Sequence, residues 1–226
     1  MKVAVLFSGG KDSCYALWKG FSDGLEITSL ILVYSENPES WMFHYPNVRW
    51  TELQAKALGL PYTIVKTSGK KEEELVDLEE RLKGLKRTKK IEAIISGAIA
   101  SKYQKDRFEE LSKRLGIKSM TPLWNEDQVK VVKKEIASFE IIMTACHAMG
   151  FNKEWLGKRM DLDVLNELIH LNKKYGINIS GEGGEYETFV TDGPNFKEKI
   201  KILDFDLQWN GFFGYLIIKN AILEKK

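Results

Sequence analysis

Lys2-Val-Ala-Val-Leu-Phe7 and the adjoining Ser8-Gly-Gly-Lys-Asp-Ser13 decide the fold of this chain. The first part is a short apolar run typical of a buried strand, and the second turns directly into a helix that continues from Cys14. Gly9 and Gly10 allow backbone conformations that other residues avoid, and they let an anion approach the backbone closely. The first turn of the helix adds unpaired N–H groups and the positive end of the helix dipole. The sequence therefore predicts a phosphate-binding loop between the first strand and the first helix.

The side chains of this loop suit the handling of phosphate groups. Lys11 adds a mobile positive charge, Asp12 a carboxylate that could bind magnesium, and Ser8 and Ser13 two hydroxyls. The spacing matches neither a Walker A loop nor G-x-G-x-x-G. The stretch Ser8–Ser13 instead resembles the pyrophosphate-binding loop of the N-type ATP pyrophosphatases. That resemblance implies that the loop holds the β- and γ-phosphates of ATP, so that the α-phosphate is attacked and AMP and pyrophosphate result. An ordinary glycine turn is the alternative.

Composition excludes several classes of protein. The net charge of +2, from 34 basic and 32 acidic residues, gives no sign of binding to bulk nucleic acid or to an anionic membrane. No apolar stretch reaches the length of a membrane span. Cys14 and Cys146 form no metal-binding motif, and we interpret both as reduced thiols. We therefore expect a cytoplasmic protein with no membrane partner and no direct nucleic-acid partner. The sequence does not determine the oligomeric state, and a homo-oligomer is one possibility.

Strands and helices alternate through the first half of the chain. Apolar residues predict further strands at 26–33, 61–65 and 91–95, with helices between them, and a short strand is predicted at 118–120. The charged segment 70–90 has leucines at helical spacing, which predicts a helix with one solvated face. This alternation predicts a parallel, Rossmann-like α/β sheet with helices on both faces. We assign it to a nucleotide-binding domain of the ATP pyrophosphatase type at residues 1–124.

The position of a nucleotide on such a sheet follows from its topology. Parallel sheets bind ligands at the carboxyl ends of their strands, where the strand order reverses. We therefore expect the phosphate loop to lie beside Gly97 and Ala98, which follow the fourth strand. Adenine is expected against the end of the second strand, at Val33 and Tyr34.

The second half, residues 125–226, predicts a smaller α/β domain for the substrate. Its pattern is a helix ending near 138, a strand at 140–146, a helix at 161–175 and two closing strands near 200–209 and 212–218. We find no flexible linker, so the halves are expected to pack tightly. The connection 40–46 is unusually aromatic, and it either packs on the body of the protein or covers a ligand.

A second constellation, Glu182-Gly-Gly-Glu-Tyr-Glu187, places three carboxylates within six residues. The glycines allow a sharp turn, so the carboxylates of Glu182, Glu185 and Glu187 could converge on one point. Converging carboxylates repel one another unless a cation lies among them or one takes up a proton. Magnesium, ammonium or a trimethylammonium group would each relieve that repulsion. A solvated acidic turn is the alternative, and Tyr186 is either a cation–π face or a packed tyrosine.

The two constellations together resemble the diphthine–ammonia ligase family. The matching stretches are Ser8–Ser13, Gly97–Ile99 with Gln104 and Arg107, Pro122–Trp124, Trp155–Gly157, Glu182–Thr188 and Thr191–Pro194. The resemblance implies the last step of diphthamide synthesis. In that step the carboxylate of diphthine, a modified histidine on translation elongation factor 2, becomes an amide through an acyl-adenylate, with ammonia and ATP consumed and AMP and pyrophosphate released.

This chemistry gives each residue of the two constellations a role. Ser8, Gly9, Gly10 and Ser13 would cradle phosphates, Lys11 would stabilise charge and Asp12 would hold Mg²⁺. The three glutamates would bind trimethylammonium or ammonium, with one of them acting as a base.

Two other functions remain open from the sequence. One is a tRNA-modifying enzyme of the same superfamily, and the other is an adenine-nucleotide sensor without catalysis. His44, His147 and His170 are too scattered to reveal a catalytic or metal cluster, and we expect His170, on a helix face, to be structural.

Overall fold

The structure is a computed structural model that describes residues 1–35, 47–68 and 73–226. The aromatic connection 40–46, with His44, therefore lies outside the described residues, and its role stays a prediction.

The first half of the chain forms a five-stranded parallel sheet. Its strands are β1 (Lys2–Leu6), β2 (Glu26–Ser35), β3 (Tyr62–Thr67), β4 (Ala93–Ile95) and β5 (Lys118–Met120). Its helices are α1 (Lys11–Ser22), α2 (Thr51–Leu58), α3 (Glu73–Lys89) and α4 (Lys102–Leu115). The strand order β3-β2-β1-β4-β5 confirms the predicted Rossmann-like α/β fold. The order reverses between β1 and β4, so their carboxyl ends border the crevice where a ligand binds.

Local sequence accounts for the position of these elements. Val3, Ala4 and Val5 of β1 are fully buried, as a central strand covered on both faces requires. Helix α4 begins at Ser101, whose hydroxyl accepts a hydrogen bond from Gln104 N, and it ends at Gly116 in the left-handed conformation. Helix α3 buries four leucines while most of the charged residues described from Leu75 onward are exposed, as predicted for a helix with one solvated face. The buried leucines are Leu75, Leu78, Leu82 and Leu85.

The second half forms a four-stranded antiparallel sheet with two helices. The elements are α5 (Gln128–Ser138), β6 (Glu140–Cys146), α6 (Leu162–Tyr175), β7 (Tyr186–Asp192), β8 (Glu198–Trp209) and β9 (Gly214–Lys225). The strand order is β7-β6-β9-β8. Two details differ from the sequence prediction: β9 runs to Lys225 instead of ending near 218, and the acidic motif leads into a strand, β7, that was not predicted.

One hydrophobic core joins the two halves. It extends from Val3 and Leu30 of the first sheet through Leu17 of α1 to Val190 and Ile218 of the second sheet. The predicted domain boundary at residue 124 lies in a turn between β5 and α5. Within the described part of the chain, we find no helix with the length and apolar character of a membrane span.

Candidate active site

A cavity of about 710 Å³ lies where the two halves meet. This volume is in the range of small-molecule sites, about 300–1,000 Å³. The cavity is lined by the phosphate loop, by the loop after β4 and by the acidic motif before β7. The predicted site residues that line it are Ser8, Gly10, Lys11, Asp12, Ser13, Val33, Gly97, Ala98, Glu182 and Glu187.

Hydroxyl groups hold the phosphate loop in shape. Ser8 Oγ donates to Ser13 Oγ at 3.1 Å, and Ser13 Oγ donates to Gly10 O at 3.0 Å. Lys11 N donates to Thr188 Oγ1 at 3.1 Å, so β7 ties the second half to this loop. A Cβ on Gly97 would lie 2.8 Å from Asp12 C, and only glycine therefore lets the loop after β4 approach α1 so closely.

Gly9 lies in the loop but does not line the cavity. Its φ is +77°, and its carbonyl accepts hydrogen bonds from Gln54 Nε2 at 2.8 Å and from Val190 N at 3.0 Å. Gly9 therefore attaches the loop to α2 and β7. It does not face the cavity, where the phosphate contacts are expected.

Tyr34 also lies away from the cavity. Its hydroxyl donates to Glu52 Oε1 at 2.9 Å, and Glu52 Oε2 accepts from Tyr62 at 2.8 Å. Burial and the bond to Glu52 raise the pKa of Tyr34 above its ordinary value. Of the two residues expected against adenine, only Val33 borders the cavity.

Lys11 is buried and forms an ion pair with Asp12, whose side chain is 32% exposed; both residues line the cavity. The Lys11 side chain is 1% exposed, and its Nζ lies 2.6 Å from Asp12 Oδ1 and 3.5 Å from Glu135 Oε2. Burial alone lowers the pKa of Lys11, but the charges of Asp12 and Glu135 outweigh it and raise the pKa above its ordinary value. Lys11 is therefore a fixed positive charge beside the loop.

Glu135 was not predicted from the sequence. It is 0% exposed on α5, and burial raises the pKa of its carboxyl well above the usual range. The sequence does carry a signal, because Glu135 stands three and four residues after the buried Val132 and Val131, on the apolar face of α5.

The three glutamates of the acidic motif take three different positions. Glu182 Oε1 accepts from Ile99 N at 2.7 Å and its Oε2 accepts from Ala100 N, so this carboxylate fastens the motif to the loop after β4. Glu185 does not line the cavity; its Oε1 accepts from Asn178 N at 2.9 Å. Glu187 lines the cavity at the start of β7. The carboxylates are therefore spread along the turn instead of meeting at one point.

Tyr186 is a packed tyrosine whose ring also faces a cation of the protein itself. Its ring is 3% exposed, and its hydroxyl donates to Ile179 O at 2.7 Å. The Lys11 ammonium lies 5.8 Å from the ring centroid, within cation–π range. Burial raises the pKa of Tyr186 above its ordinary value.

The residues present fit a nucleotide with a magnesium ion. Magnesium is commonly held by one or two carboxylates together with substrate phosphates, and Asp12 supplies such a carboxylate beside the loop. Among the described residues, no cluster of three or more metal-ligating side chains occurs, so a resident metal site made by protein alone is not found there.

A glycine loop between β1 and α1, at the point where a parallel sheet reverses its order, defines a Rossmann-like α/β protein with a crevice suited to a phosphate-bearing ligand. Comparison with known proteins is more specific. Residues 1–119 match the family model "Diphthamide synthase N-terminal domain", and residues 127–223 match "Diphthamide synthase C-terminal domain". The chain belongs to the diphthine–ammonia ligase family.

Curated relatives agree along most of the chain. It is 36% identical over 222 residues to the diphthine–ammonia ligase of Rattus norvegicus, which covers 89% of this chain and 83% of that protein. The diphthine–ammonia ligase of Homo sapiens is 36% identical over 220 residues, with 88% and 82% covered. The enzyme of that name from Schizosaccharomyces pombe is 34% identical over an alignment of 244 positions, gaps included, which covers 100% of this chain and 40% of that protein.

Proposed function

We propose that this chain converts diphthine on translation elongation factor 2 to diphthamide, with ammonia and ATP consumed and AMP and pyrophosphate released. The observation that carries the proposal is that the phosphate loop and the acidic motif line one cavity. A sensor of nucleotide would need only the first of these. Because translation takes place in the cytoplasm, we place the protein there as well.

The chemistry requires activation of the acceptor. A carboxylate cannot lose oxide to ammonia, so it must first carry a better leaving group, which an acyl-adenylate provides. Formation of the adenylate requires that the α-phosphate face the acceptor. Holding the β- and γ-phosphates in the loop at Ser8–Ser13 would achieve this orientation.

Residues at different places in the cavity would have different roles in this reaction. Gly10, Ser8 and Ser13 would contact the phosphates, while the buried Lys11 charge stabilises the negative charge that develops there. Asp12 would hold Mg²⁺, which neutralises phosphate charge when bound. Glu187 borders the cavity from the second half, where the acceptor and ammonia would approach.

The proposal is tested by product analysis. The protein is incubated with ATP, ammonium and diphthine-bearing elongation factor 2, and we expect AMP, pyrophosphate and the mass change of one carboxylate-to-amide conversion. Omission of ammonium should abolish the mass change. Formation of ADP and phosphate, or an unmodified acceptor after AMP release, would contradict the proposal.

A further inference from the structure

Three aromatic rings lie together, and one of them, His147, lines the cavity. The rings of His147 and Tyr215 have centroids 5.0 Å apart, and Phe213 lies 6.2 Å from each of them. His147 and Glu187 both line the cavity that the phosphate loop borders. No sequence motif points to His147, Phe213 or Tyr215 as site residues. We call the rings of His147, Phe213 and Tyr215, together with the carboxylate of Glu187, the aromatic cluster.

The strand register explains why these side chains share one face. Ala145 of β6 pairs with Glu187 of β7 on one side and with Tyr215 of β9 on the other. Residues directly opposite in neighbouring strands point to the same face, and so do residues two apart in one strand. His147 and Phe213 stand directly outside β6 and β9. Backbone hydrogen bonds from His147 N to Glu185 O and from Asn210 N to Phe213 O continue the strand pairing to these two residues, which stand two positions from Ala145 and Tyr215, respectively.

Backbone hydrogen bonds fix the cluster in place. His147 N donates to Glu185 O at 2.8 Å, and His147 Nδ1 lies 3.2 Å from Gly184 O. Asn210 Oδ1 accepts from Phe213 N at 2.9 Å, which holds the turn before β9. The cluster is nevertheless open to water, since His147 is exposed and Phe213 is 44% exposed. Aromatic rings held in place at a cavity edge form a site that is arranged before a ligand arrives.

We propose that the aromatic cluster binds the quaternary ammonium group of the acceptor. A trimethylammonium group has no N–H to donate, so ring faces and a nearby carboxylate recognise it better than hydrogen-bond acceptors do. Free ammonium is different, because its four N–H groups call for oxygen ligands. The negative charge in the cluster belongs to Glu187, which acts on Tyr215: burial raises the pKa of Tyr215, and this carboxylate adds to the rise.

This inference rests on the proposed function and adds the residues that would determine which acceptor the protein binds. The acceptor would enter with its methylated nitrogen against the cluster, and its carboxylate would then extend into the cavity toward the phosphate loop. The ring contacts lie outside that loop, so they should affect the acceptor and leave ATP binding unchanged.

The first test uses choline as a probe, so that it needs no turnover. We expect choline to shift the ring signals of Phe213 and Tyr215 in NMR spectra, while its uncharged tert-butyl analogue, with carbon in place of nitrogen, does not. Phe213→Leu and Tyr215→Leu should each weaken choline binding. The matched control is Phe205→Leu on β8, because Phe205 is 47% exposed and does not line the cavity.

The second test is kinetic. Phe213→Leu and Tyr215→Leu should each raise the KM for the acceptor about tenfold, the size of one partly desolvated cation–π contact, with the Kd of ATP and the melting temperature unchanged. Equal binding of choline and its neutral analogue, or no binding of choline at all, would overturn the site. So would variants that keep the wild-type acceptor KM. Selective choline binding without amide formation would instead refute the proposed function and leave the site standing.

Discussion

At the scale of single residues, Gly9 shows how the phosphate loop depends on a residue that lies outside the cavity. Its left-handed backbone conformation, φ +77°, is costly for any residue with a Cβ. A Cβ there would also lie 2.0 Å from Gln54 Oε1. Gln54 is 0% exposed, and its Nε2 donates to Gly9 O and to Val190 O, so it cannot move aside without losing these bonds.

We therefore expect Gly9→Ala to lower the free energy of unfolding by roughly 1–3 kcal/mol, through strain and loss of the Gln54 bonds. Chemical denaturation measures it. The control is Gly84→Ala in α3, where the added methyl group meets nothing within 4 Å. A helix interior favours alanine over glycine, so the control should be slightly stabilised. Equal stability of Gly9→Ala and the wild type would contradict the role given to Gly9.

The sequence predicts the cavity residues that belong to a local motif. It does not predict residues that reach the phosphate loop only through the tertiary fold. Lys11, Asp12 and Gly97 could be found because a strand end and a glycine signal them directly. Gln54, by contrast, reaches Gly9 across 45 positions, and Thr188 reaches Lys11 across 177. No pattern near either residue points to its partner.

At the scale of elements, β7 was missed because its first residues belong to the acidic motif. Glycine and charged residues at 182–187 indicate a turn, and the apolar residues Phe189 and Val190 are too few to outweigh them. Pairing with β6 decides the conformation, and such pairing depends on the context of the sheet more than on local preference. The central strands of the first sheet are easier to predict, because β1, β2 and β4 each contain a run of buried apolar residues.

The acidic motif and the loop after β4 are fastened together by one side chain, Glu182. Its carboxylate accepts hydrogen bonds from two successive backbone N–H groups, those of Ile99 and Ala100. Because one loop belongs to each half of the chain, this contact closes one side of the cavity.

We predict that Glu182→Gln loosens this contact, because its amide NH₂ would face a backbone N–H donor. The free energy of unfolding should fall by about 1–2 kcal/mol. A hydrogen bond to a charged group contributes more than this, but the glutamine keeps one oxygen that can still accept. Hydrogen exchange of the Ile99 and Ala100 amides should accelerate. Glu224→Gln, which removes a surface ion pair with Lys201, is the control and should leave that exchange unchanged. Unaltered exchange at Ile99 and Ala100 in Glu182→Gln would refute the contact.

At the scale of the whole molecule, both halves of the chain contribute residues to the cavity, and the proposed function gives the two halves different tasks. Asp12 and Lys11 belong to the first half and lie beside the phosphate loop, whereas Glu187 belongs to the second half. The continuous core holds the two sides in a fixed relation, which adenylate formation requires because its reacting groups must meet in line. Substitutions on the two sides should therefore affect different substrates.

Asp12→Asn and Glu187→Gln test this division directly. Asp12→Asn should weaken ATP binding in the presence of magnesium by about tenfold to a hundredfold, because one charge-assisted contact is worth roughly 1.5–3 kcal/mol. Glu187→Gln should leave ATP binding unchanged and raise the KM for the acceptor. Calorimetry with ATP and kinetics with elongation factor 2 separate the two effects. The control is Glu126→Gln, since Glu126 pairs with Lys19 and Lys134 and does not line the cavity. If Glu187→Gln weakens ATP binding as much as Asp12→Asn does, Glu187 serves the nucleotide and the division between the halves is wrong.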